Sequence, residues 1–138
     1  MAHSLMFLWV QGIDGLSQDP RHLREIEVAS FSFGPKGSAT FGSALPVELI
    51  NDFTFIKRID GVSNLLYQAA LSGKHFAKAI LTVERNFGGR SAGELLRVVM
   101  SDILITSFQR DPKSGAPIHE DFESIGLNYA SVNWKHNG

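Results

Sequence analysis

Five histidines, His3, His22, His75, His119 and His136, have the widest chemical range in this chain of 138 residues. None stands in a known metal-ligand pattern with another histidine or a carboxylate, so they are expected on the surface or at element ends. Two carboxylate pairs, Glu25/Glu27 and Asp121/Glu123, have the i, i+2 spacing that places both acids on one face of a strand. Paired acid catalysis needs two carboxyls flanking a cleft, so a solvated outward face is the expectation for each pair. Gly34-Pro35-Lys36-Gly37-Ser38 lacks the spacing and following helix of a phosphate loop, and Gly12-x-x-Gly15 lacks the third glycine and helix of a dinucleotide fingerprint. Cysteine is absent, which excludes disulfides, thiolate metal sites and thiol nucleophiles. These residues predict no catalytic centre, no metal site and no cofactor.

Lys57-Arg58, Lys74-His75 and Lys78 form a candidate basic patch. It is read as pairing with acidic residues of a neighbouring molecule, because the interleaved aromatics of an oligonucleotide platform are missing. With 13 basic and 14 acidic residues and a net charge of −1, the chain has no footprint for a polyanion, and nucleic acid is not an expected partner. The apolar run Leu5–Val10 has no preceding Lys or Arg and is too short for a signal-peptide core, so it reads as a strand. No stretch approaches the ~20 apolar residues that span a bilayer, so membrane insertion is not expected and synthesis in the cytoplasm is.

The elements that must position these groups are mostly strands. Leu5–Gln11 closes at the Gly12–Gly15 turn. Glu25–Phe33 carries Ile26 and Val28 on one parity and Phe31 and Phe33 on the other, a flip that predicts a β-bulge near Ala29–Ser30. A loop over about 34–46 leads to a strand within Val47–Ile59. His75–Arg85 alternates, Gly88-Gly89 turns the chain, and Leu95–Phe108 flips at Ser101-Asp102. Glu123–Trp134 flips again between Tyr129 and Val132. Three flips in long strands predict a small, closed or nearly closed β-barrel, because bulges coil strands and let a sheet close. One short helix interrupts the strands over about 62–72, capped by Asp60 or Ser63 and stopped by Gly73. Val62, Leu65, Leu66, Ala69 and Ala70 form the face expected to cover an open end of the barrel. Tyr67 and Leu71 give the helix a second apolar flank, which a loop or a neighbouring subunit must cover. The whole of 1–138 reads as one domain.

Five blocks in order, Glu25–Gly34, Phe53–Asp60, Gly73–Val83, Val99–Ser107 and Ile125–Ala130, resemble the haemolysin-coregulated protein (Hcp) family, the tube proteins of type VI secretion systems. The resemblance runs from Leu8 to Trp134. It implies a β-barrel with one helix, six copies closing into a ring, and rings stacking into a hollow tube similar to a contractile phage tail tube. It also implies a non-enzymatic structural subunit that carries secretion effectors in its lumen and meets sheath, baseplate or spike proteins. Such a protein leaves the cytoplasm through the type VI apparatus without a cleaved signal peptide. The strand Glu25–Phe33 would help line the lumen, with Ser32, between Phe31 and Phe33, at the position implicated in holding cargo. Tyr67, Leu71, Lys57 and Lys78 are the expected subunit-interface residues. The alternatives are a tube protein of a related contractile injection apparatus, or a monomeric β-barrel binding a small ligand inside.

Overall fold

The computed structural model describes residues 5–34, 52–87, 90–109 and 122–136. Among these residues seven strands and one helix follow one another as β1 (Met6–Val10), β2 (Ile26–Val28), β3 (Ser30–Phe33), β4 (Asp52–Arg58), α1 (Ser63–Ser72), β5 (His75–Phe87), β6 (Arg90–Gln109) and β7 (Phe122–His136). The loop expected over 34–46, apart from Gly34, lies outside the described residues. So do the first part of the Val47–Ile59 strand, Gly88-Gly89, His3, His119 and Asp121.

All strand pairs are antiparallel, and the sheet runs β2-β1-β5-β6-β7-β4-β3. Its two outermost strands, β2 and β3, are consecutive in the chain and separated only by Ala29. The sheet therefore curls until its edges meet. The Ala29 N–H donates to the Ile56 carbonyl at 2.7 Å, tying the junction to β4. The flip expected near Ala29–Ser30 is the point where the strand leaves β1 and joins β4. The fold is mainly β, a nearly closed barrel with one helix.

The other two flips share one physical cause. Ala77 and Lys78 on β5, Ser101 and Asp102 on β6, and Ala130 and Ser131 on β7 all escape burial. They are ladder neighbours, with Lys78 opposite Ser101 and Ser101 opposite Ser131. Register is the same on either side, since Phe76 still faces Ile103 and Ile103 faces Tyr129. A crease crosses three strands with no residue inserted, and Asp102, at φ 58°, supplies a left-handed kink in its middle strand. True register shifts lie elsewhere, at Val83–Asn86 of β5 and Ile105–Ser107 of β6.

Inward side chains from every strand, including Leu8, Val28, Phe53, Leu81, Met100 and Ile125, join one continuous hydrophobic cluster, and Val62, Leu66 and Ala69 of α1 complete it. Gly73, at φ 69°, ends the helix with its N–H on the Ala69 carbonyl at 3.1 Å, as the sequence requires. At the other end neither Asp60 nor Ser63 is the cap expected of it: Val62 holds the N-cap position without a side-chain cap. Asp60 Oδ1 accepts the Val62 N–H at 3.0 Å and Ser63 Oγ accepts the Asp60 N–H at 3.0 Å, fastening the turn that precedes the helix. One expected face residue departs, since Leu65 is 51% exposed while Ser63 takes a buried place.

Candidate functional site

Three surfaces and two buried clusters hold the residues with functional potential. The first surface is the outward face of β3 and β4. Alternation turns Phe31 and Phe33 inward, where the Phe33 ring sits 4.8 Å from Phe53 and 4.7 Å from Trp134. Ser32 is consequently exposed on the other face, paired with Thr54, whose partner on β7 is Gly126. The register shift in β6 leaves both Thr106 and Ser107 exposed, and the Thr106 hydroxyl donates to the Gly126 carbonyl at 3.4 Å. A Cβ at Gly126 would collide with Ser107 Oγ, so glycine here makes room for a hydroxyl. Gly34, Asp52, Thr54, Ser107 and Ser124 line an open concavity of about 230 Å³ on this face. Its hydroxyls and amides can hydrogen-bond a passing chain, and its one carboxylate, Asp52, accepts from Asn128 Nδ2 at 3.3 Å. Beneath Asp52, burial and then that carboxylate push the Tyr129 hydroxyl up to about 12.

The second surface is the outer flank of α1. Leu71 is 71% exposed and Tyr67 45%, the latter resting edge-on against Phe108 with centroids 5.4 Å apart. With Leu65 they leave three large apolar side chains of one short helix uncovered by the described residues. The third surface carries Lys74, His75 and Lys78, all exposed, with His75 Nδ1 3.0 Å from Asp102.

Lys57 is not part of that surface, which corrects the basic patch and the interface role expected of it. It is 1% exposed, and its ammonium donates to Glu123 Oε2 at 2.9 Å, Asp60 Oδ1 at 2.9 Å, Ser63 Oγ at 3.1 Å and the Arg58 carbonyl at 2.6 Å. Ser63 Oγ also donates to Glu123. Glu123 is buried, contrary to the solvated face expected of it, and the cluster ties β4, β7 and the start of α1 together. The sequence held the signal: Lys57 continues the parity of Phe53 and Phe55, and Glu123 that of Ile125 and Leu127, so both must point inward and opposite each other.

His22 corrects the expectation of surface histidines in the same way. Its ring stacks on Phe7 at 4.1 Å, with Nε2 2.7 Å from Glu84 Oε2 and Nδ1 3.1 Å from Glu25 Oε1. Burial raises the Glu25 carboxyl above its ordinary range, with His22 pulling the other way. Among the described residues no group of three or more histidines and carboxylates has the geometry to hold a metal ion.

Residues 7–136 match the model of the family described as type VI secretion system effector, Hcp. The chain belongs to the Hcp family. It is 33% identical to Protein hcp1 of Pseudomonas aeruginosa over 133 residues, covering 92% of this chain and 79% of that protein. Among solved structures it is similar to Hcp1 from Salmonella typhimurium, with a TM-score of 0.75, 28% identity and coverage of 100% of this chain and 88% of that one. Hcp2 from the same organism matches with a TM-score of 0.72 and 28% identity over 96% of this chain and 87% of that one. The barrel with one helix, read from parity and periodicity, is the Hcp fold. An Hcp protein is a type VI secretion tube and secreted protein, and no helix of the described residues is long and apolar enough to cross a membrane.

Proposed function

We propose that this Hcp protein is a non-enzymatic structural subunit whose copies close six at a time into a ring, with rings stacking into the hollow inner tube of a type VI secretion system. The observation that carries this reading is the outer flank of α1, where Leu65, Tyr67 and Leu71 stay exposed on a protomer whose core is otherwise one continuous cluster. Exposed apolar side chains grouped on one element are what a neighbouring subunit covers, and a head-to-tail contact closed by rotation gives a ring. Lys78 borders the neighbouring subunit in this reading. The face bearing Ser32 lines the bore, where hydroxyls and amides hold secretion effectors by hydrogen bonds. Sheath, baseplate or spike proteins are the remaining partners, and export proceeds from the cytoplasm through the apparatus.

Light scattering coupled to size exclusion, with negative-stain images of the same peak, tests the ring: a mass near six protomers of 15.2 kDa and annular particles are expected. Replacing Ser32 by arginine should leave the ring mass unchanged and abolish effector co-purification; unchanged cargo retention would remove Ser32 from this account. The small-ligand barrel loses support because Leu81, Leu96, Val98 and Leu127 fill the inward positions that such a ligand would need.

A further inference from the structure

The loop Gly12–Glu25 lies across the outer side of β1 and β5, and its seat is polar as well as apolar. The Gly15 N–H donates to the Arg24 carbonyl at 2.8 Å and the Ser17 N–H to the Glu25 carbonyl at 2.9 Å, folding the loop on itself. It is fastened to the barrel by His22, stacked on Phe7 of β1 and held between Glu84 of β5 and Glu25 of the loop's own end. A neutral imidazole has one donor and one acceptor nitrogen. Here both nitrogens face carboxylate oxygens, so a neutral ring would set a lone pair against a charged oxygen. The geometry is satisfied when one further proton is present, on the ring or on a carboxyl. The other charged groups facing the cluster are Arg21, whose Nη2 donates to Glu84 Oε1 at 2.7 Å, Asp19 beside Arg21, and Arg97 of β6, itself 3.5 Å from Glu94. Arg21 also pairs with Glu84 itself and Arg97 favours the charged form of Glu25, so these groups steady the carboxylates, but none of them supplies the proton that the second imidazole contact lacks.

We infer that His22, Glu25 and Glu84 form a proton-dependent pin that holds the Gly12–Glu25 loop closed and releases it as pH rises. The sign follows from proton counting: the closed loop binds more protons than the open one, so closure is favoured at mildly acid pH and weakens toward alkaline pH. The raised carboxyl of Glu25 acts in the same direction, since burial favours its protonated form. Because the loop presents Leu16 and Leu23 outward, the pin also sets the apolar surface at this side of the barrel.

The test is amide hydrogen exchange of the full chain between about pH 5.5 and about pH 8.5, corrected for intrinsic exchange, with the mass followed in parallel. Protection of the Gly15 and Ser17 amides should fall on the order of tenfold over that range, while amides of β6 keep theirs. Glu84→Gln supplies an amide that donates to Nε2 and still accepts from Arg21, so a neutral imidazole fits and the loop stays protected at both ends of the range. Glu25→Gln should flatten the profile by the same logic at Nδ1. Wild-type protection that does not change with pH would overturn the pin, as would an undiminished fall in both variants.

Discussion

Replacing Lys57 by methionine tests the buried cluster that joins α1 to the barrel. Methionine keeps most of the apolar stem and removes the ammonium, which bonds Glu123 and Asp60 at 2.9 Å each and Ser63 at 3.1 Å. Asp60 lies partly in solvent and can exchange its bond for water, whereas the Glu123 side chain is fully enclosed. The carboxylate would lose the ammonium and keep its bond from the Ser63 hydroxyl. Removing one partner of a buried ion pair costs about 3–5 kcal/mol, most of it the uncompensated remaining charge. For a chain of this length that corresponds to a fall in Tm of roughly 10–15 °C. Urea unfolding followed by circular dichroism at one fixed protomer concentration measures it, because self-association also adds stability. The double variant Lys57→Met, Glu123→Leu removes both charges and should recover at least half of the loss. A single variant within about 1 kcal/mol of wild type, or a double variant no better than the single, would refute the reasoning.

Leu71→Asp should leave the protomer's unfolding within about 0.5 kcal/mol of wild type, since the side chain is exposed, yet shift the light-scattering mass below that of the ring. Gly15→Ala places a methyl against the Glu25 backbone, and a loss of about 1–3 kcal/mol with faster exchange of the Ser17 amide is expected in urea and exchange measurements. The Tyr129 hydroxyl is raised to about 12, so folding holds back its ionisation. Stability from this group is present below its ordinary value of about 10 and is lost as pH rises toward about 12. An absorbance titration should show a late tyrosinate step that disappears in Tyr129→Phe.

The barrel was legible because parity along a strand reports which face is covered. The change from Ile26/Val28 to Phe31/Phe33 marked the jump between sheet edges, and the helix declared itself by period and by Gly73. The crease was harder: a flip in one strand looks like an inserted residue, and only the pairing of Lys78, Ser101 and Ser131 distinguishes a fold shared by three strands. Lys57 and Glu123 depart from what their charge alone implies, because parity turns both inward and opposed charges on neighbouring strands compensate each other. His22 carried no such signal. It sits in an irregular loop, and its partner Glu84 comes from a strand 62 residues away, a separation that no local pattern spans. Ser32 was singled out by the family resemblance alone; alternation along β3 explains its outward direction, whereas its role depends on six copies enclosing a bore.

That enclosure is the central claim, and solution mass tests it most directly. Light scattering coupled to size exclusion, with negative-stain images of the eluting peak, should give six protomers of 15.2 kDa in annular particles. A monodisperse monomer at high protein concentration, with Leu65, Tyr67 and Leu71 left in water, would contradict it.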